Sequence, residues 1–124
     1  MKIALQIAFS AVAALLLTSA TSAFAGNLAG QYQVAGKNVD GSTYAGTAQI
    51  GATSDTTCKI SWQTGGAASQ GICMRNGTSF AASYALGDTI GLVVYQIKPD
   101  GTLEGLWTIS GKPGVSTETL TPIK

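Results

Sequence analysis

Cys58 and Cys73 each lie seven residues from the Gly65-Gly66 dipeptide, one on either side of it. Gly-Gly suits a two-residue type I′ turn, and a hairpin turning there sets the two cysteines directly opposite one another. They are the only cysteines in the chain. An opposed pair reads as a disulfide in an oxidising compartment. The C-x-x-C spacing of a redox pair is absent. The bridge would close a loop of about 16 residues and contribute roughly 3 kcal/mol in the chain-entropy model. Side chains alternate along a strand, so Ile60 and Trp62 share the face of Cys58.

The expected compartment agrees with that reading. Lys2 starts the chain with a positive charge, and Ile3 to Leu17 is apolar apart from Gln6 and Ser10. Thr18 to Ala25 is small and polar and ends Ala23-Phe24-Ala25, the small-x-small pattern of a signal-peptidase site. Residues 1–25 are therefore expected to be a signal peptide and residues 26–124 one β-barrel-like domain, periplasmic or secreted. The apolar run is too short for a bilayer span, so no membrane span is expected in the mature protein. No cysteine follows the cleavage site at once, which argues against a lipid anchor.

All 16 glycines lie in residues 26–124. Such density favours turns and bulges over helices. Between the turn residues run short alternating segments: 28–34, 43–50, 56–63, 69–75, 78–86, 89–97, 102–110 and 115–121. Asp40-Gly41-Ser42, Asn76-Gly77, Gly87-Asp88 and Pro99-Asp100-Gly101 punctuate them. About eight strands at roughly 12-residue spacing predict an all-β sandwich or barrel. Short connections favour antiparallel neighbours in a single meander. The expected fold is a small antiparallel β-barrel or barrel-like sandwich with one disulfide. The turn-strand stretch from Asp40 echoes the one from Asp100, which is how reused hairpin chemistry reads.

Residues 26–124 carry six Lys/Arg and six Asp/Glu, scattered. No basic stripe exists to neutralise phosphates, so nucleic acid is not an expected partner. The chain has no histidine. That removes the commonest general base, the Ser-His triad and most zinc sites. Asp100 and Glu104 form the one acid pair worth weighing, and they read as a solvated turn and an outward position. No enzyme activity, cofactor or metal is expected. Tyr32, Tyr44, Trp62, Phe80, Tyr84, Tyr95 and Trp107 fall mostly on the inward face, as core or as the lining of a barrel mouth. The segment Ile90-Gly91-Leu92-Val93-Val94-Tyr95 is apolar on both faces, as in a deeply buried strand or one whose outer face meets a partner.

Several runs together resemble a family of small exported alphaproteobacterial proteins, some of them labelled fibronectin-binding protein. These runs are Gly30-Gln31-Tyr32, 40–46, Cys58-Lys59-Ile60-Ser61-Trp62, Gly71-Ile72-Cys73-Met74, 91–95 and 100–107. The resemblance covers almost all of residues 26–124 and implies an exported, non-enzymatic domain, with no catalytic or binding residues to carry over. A familiar bacterial route to fibronectin is strand addition by extended segments. This chain has none, so binding would use its folded surface or an edge strand. The run 100–107 also resembles avidin-like barrels, without a biotin-binding set. Ser42-Thr43-Tyr44 loosely resembles the inhibitory loop of periplasmic lysozyme inhibitors.

The leading expectation is thus an exported binding protein that engages a macromolecule, fibronectin or another extracellular-matrix protein, with Val93 and Tyr95 as the candidate partner face. The alternatives are a barrel carrying a small apolar ligand in a cavity lined by Trp62, Tyr84 and Trp107, and a lysozyme-inhibitor-like protein.

Overall fold

A computed structural model describes residues 28–124; the signal peptide expected over residues 1–25 lies outside the described residues. The strands are β1 (Gly30–Lys37), β2 (Thr43–Ala52), β3 (Thr57–Thr64), β4 (Ala67–Asn76), β5 (Ser79–Leu86), β6 (Thr89–Ile97), β7 (Leu103–Ile109) and β8 (Ser116–Pro122). Each pairs antiparallel with the next, and β8 returns to β1, closing an eight-stranded up-and-down barrel. Of barrel and sandwich, the chain forms the barrel, which leaves no free sheet edge.

Local chemistry sets the register. Gly65 and Gly66 have φ of 57° and 81°, the left-handed pair that a type I′ turn requires. The β3–β4 ladder therefore pairs Cys58 with Cys73, and the two form the expected disulfide with a Cα–Cα distance of 5.0 Å. The turns at Asp40 and Asp100 share one design. Asp40 Oδ1 accepts from the Ser42 amide at 2.9 Å, and Asp100 Oδ1 from the Thr102 amide at 2.9 Å. The backbone bonds repeat as well: Asn38 N–H to Ser42 O at 2.7 Å, and Lys98 N–H to Thr102 O at 2.8 Å.

One end of the barrel is filled. Leu28, Ile50, Phe80, Leu103 and Leu120 are almost fully buried there. Leu28 lies just ahead of β1, and its carbonyl accepts from Tyr32 Oη at 2.6 Å. Phe80 stacks on Tyr95 with ring centroids 5.7 Å apart. The disulfide lies nearby in the interior, Cys58 and Cys73 both being buried.

The outward face of the barrel is divided. Strands β8, β1, β2 and β3 show Thr, Gln, Ser and Lys to solvent. Strands β4 to β7 add apolar residues to that face: Met74, Ala81, Val94 and Leu106 form one cross-strand row. Ile72, Ser83 and Leu92 form the next.

The expected partner face needs correcting here. Val93 and Tyr95 are 2% and 1% exposed and point into the barrel, whereas Ile90, Leu92 and Val94 face outward. Alternation showed that β6 has two apolar faces but not which one is inside. Gly91 decides the parity, because the Tyr84 ring lies over it on the interior side.

Candidate functional site

The other end of the barrel, beneath the β1–β2, β3–β4 and β5–β6 turns, is not filled. A cavity of about 350 Å³ opens there, walled by Tyr44, Trp62, Tyr84, Trp107 and Ile109, with Glu118 among its lining. That volume lies within the range of small-ligand sites. Trp62, Tyr84 and Trp107, the three aromatics expected to line a pocket, all border it. The expected partner-face pair divides: Val93 reaches the cavity wall and Tyr95 lies deeper.

The residue that organises this end is Glu118, 7% exposed and inward on β8. Closure of the barrel sets it between two glycines, Gly36 of β1 and Gly105 of β7. Opposite those glycines, on the next strands out, stand Tyr44 and Tyr95. Neither glycine puts a side chain into the interior, so each tyrosine ring lies across its glycine. A Cβ on Gly36 would come within 2.5 Å of the Tyr44 ring, and one on Gly105 within 2.5 Å of the Tyr95 ring. The two phenols thereby reach the carboxylate from opposite sides. Tyr44 Oη donates to Oε1 at 2.6 Å, and Tyr95 Oη donates to Oε2. From across the barrel, Trp62 Nε1 donates to Oε2 at 3.1 Å.

A buried carboxylate is costly unless paired or well hydrogen-bonded. Here three neutral donors satisfy it and no cation does. The one ion pair among the described residues, Lys98–Glu104, is on the surface.

Burial first, and then the Glu118 carboxylate, raise the hydroxyls around it. Tyr84 is pushed up to about 12. Tyr44 and Tyr95 are raised as well, with hydrogen bonding to Glu118 adding to the effect. All three phenols are therefore neutral at physiological pH.

The aromatic walls form two edge-to-face pairs. Trp62 meets Tyr84 at 5.1 Å between centroids, and Tyr44 meets Trp107 at 6.2 Å. Trp107 Nε1 is committed to Thr117 O at 3.2 Å.

Sequence reasoning missed Glu118, reading 115–121 only as the last of the alternating segments. The signal was there in the alternation: Glu118 shares its parity with Leu120, a fully buried residue. Asp100 and Glu104, the acid pair weighed and set aside, sit at the opposite end, in a turn and in the surface ion pair. Among the described residues no three metal-binding side chains come together.

No family model and no curated protein sequence matches the chain. Solved structures do match it. A redesigned β-barrel aligns with TM-score 0.67 and 20% identity, over 81% of this chain and 95% of that one. A redesigned β-barrel bound to DFHBI aligns with TM-score 0.66 and 20% identity, over 78% and 96%. A de novo designed fluorescence-activating β-barrel aligns with TM-score 0.61 and 19% identity, over 77% and 94%. At such identities the likeness speaks for the fold alone.

Proposed function

We propose that the protein is a non-enzymatic binding barrel that takes a small molecule into its open end. The observation that carries this reading is the cavity of about 350 Å³ walled by aromatic rings at one end of an otherwise filled barrel. Barrels of eight strands are just wide enough to be filled by side chains or to hold one small ligand. Half of this barrel does the first, and the other half leaves room for the second. That two of the structural neighbours are described as fluorescence-activating or as bound to DFHBI is in keeping with this use of the fold. The protein works in an oxidising compartment after export, where Cys58–Cys73 stays formed.

The chain has two tryptophans, Trp62 and Trp107, and both line the cavity. Their emission is a built-in reporter of occupancy. Titration with a set of small apolar and aromatic compounds should change tryptophan emission saturably for some of them. Ser69→Phe, which fills the mouth next to Trp62, should abolish the change. Binding that leaves the emission untouched, or survives Ser69→Phe, would place the ligand elsewhere and refute the proposal.

The outer face supports a second reading, a macromolecular partner, fibronectin among the candidates. Ile72 and Met74 of β4, Ile90, Leu92 and Val94 of β6 and Leu106 of β7 are each more than half exposed, with Ala81 and Ser83 of β5 between the first two groups. Contiguous apolar surface of that kind marks interaction sites. Calorimetric titration against fibronectin tests it. Saturable heat lost in Leu92→Asp/Val94→Asp supports this reading; no heat counts against it.

A further inference from the structure

We infer that the ligand of the open-end cavity is an organic cation with an apolar or aromatic body, an ammonium group seated toward Glu118. This rests on the small-ligand reading above and names its chemistry.

The inference starts from charge. Glu118 lines the cavity, and no Lys or Arg does. Its hydrogen bonds come from neutral donors, so its negative charge has no counter-ion among the described residues. A cation entering the cavity would meet that charge on a carboxylate only 7% exposed, where attraction is stronger than at the open surface.

The second argument is hydrogen-bond polarity. Tyr44 O–H, Trp62 N–H and Trp107 N–H are all spent on internal acceptors. What Tyr44 and Glu118 still offer the cavity is lone pairs. A ligand that donates, as an ammonium does, matches these two groups; the other lining hydroxyls, those of Thr64, Ser69, Tyr84 and Thr89, can donate or accept and so do not oppose it.

The third is the walls. Tyr44, Trp62, Tyr84 and Trp107 surround the space in two edge-to-face pairs. Aromatic rings around a cavity attract a cation through their negative faces, the arrangement that recognises quaternary and methylated ammonium groups elsewhere.

The test compares three probes with one phenyl body: phenethylammonium, phenethyl alcohol and phenylpropanoate. Each is titrated into the oxidised protein, read by tryptophan emission and by calorimetry. Phenethylammonium should bind about tenfold or more tighter than the alcohol, with phenylpropanoate weakest. Glu118→Gln should collapse the preference for the cation while leaving the alcohol bound. Equal affinity for ammonium and alcohol, or tightest binding of the carboxylate, overturns the inference and leaves the cavity reading intact. Silence from all three overturns the inference, and the broader compound set then decides the cavity reading. If Glu118→Gln does not fold, the probe series on the wild-type protein decides by itself.

Discussion

The two ends of this barrel are made by the same eight strands and differ in what the inward positions carry. At the filled end those positions hold Ile50, Phe80, Leu103 and Leu120, capped by Leu28, side chains with no polar tip to satisfy. They close on one another, and the phenol of Tyr32 there is spent on the Leu28 carbonyl. At the open end the inward positions hold tyrosine and tryptophan, whose polar tips must find partners. Glu118 collects three of those tips on one side, and the rings stand around the space that is left. A backbone of fixed width thus yields a plug or a pocket according to whether its side chains can fill the interior without regard to hydrogen bonding.

The largest effect that would test this contrast is core truncation. Phe80→Ala, in the filled end, should destabilise by about 3–5 kcal/mol in denaturant unfolding. Tyr84→Ala, beside the cavity, should cost about 1–2 kcal/mol, since part of its surface faces open space. Equal losses would mean that the open end is as tightly packed as the other.

Removing the disulfide with Cys58→Ala/Cys73→Ala should cost about 3 kcal/mol under oxidising conditions. The same variant should keep the tryptophan response to ligand, because the bridge lies in the filled half. Glu118→Ala leaves Tyr95 Oη and Trp62 Nε1 buried without an acceptor and should cost about 2 kcal/mol. Unlike loss of the disulfide, it should also disorder the cavity, seen as a red shift of tryptophan emission.

Alkaline pH should act through the open end. The folded protein holds the protons of Tyr44, Tyr84 and Tyr95 above the ordinary tyrosine value, so it binds more protons than the unfolded chain there. Their contribution is fully present below a pH of about 10. It is lost as pH rises through the folded values, that of Tyr84 being about 12. Unfolding free energy should therefore be level to about pH 10 and fall above it, with a shallower fall in Tyr84→Phe. A flat profile would mean that these phenols ionise as freely as in the unfolded chain. The smallest effect belongs to the outer face: Leu92→Thr/Val94→Thr should change stability by no more than about 0.5 kcal/mol. A larger loss would show that the outer face supports the fold.

What was legible in the sequence was local. Alternation and turn residues located every strand to within three residues, and the symmetry of Cys58 and Cys73 about Gly65-Gly66 set one ladder in register. The inward aromatics could be read the same way. Two things could not. The doubly apolar β6 concealed its own parity, and Val93 and Tyr95 went to the interior once the Tyr84 ring took the place over Gly91. Glu118 looked like one polar residue in a polar strand. Its role depends on Gly36 and Gly105, one 82 and the other 13 residues earlier in the chain, lying on either side of it. The pairing of β8 with β1 joins the two ends of the described chain, and no window of sequence contains it. Short-range chemistry determined the strands and the hairpins. Only closure of the barrel decided which face was inside and gave a buried carboxylate its three donors, because those contacts exist only when distant strands meet.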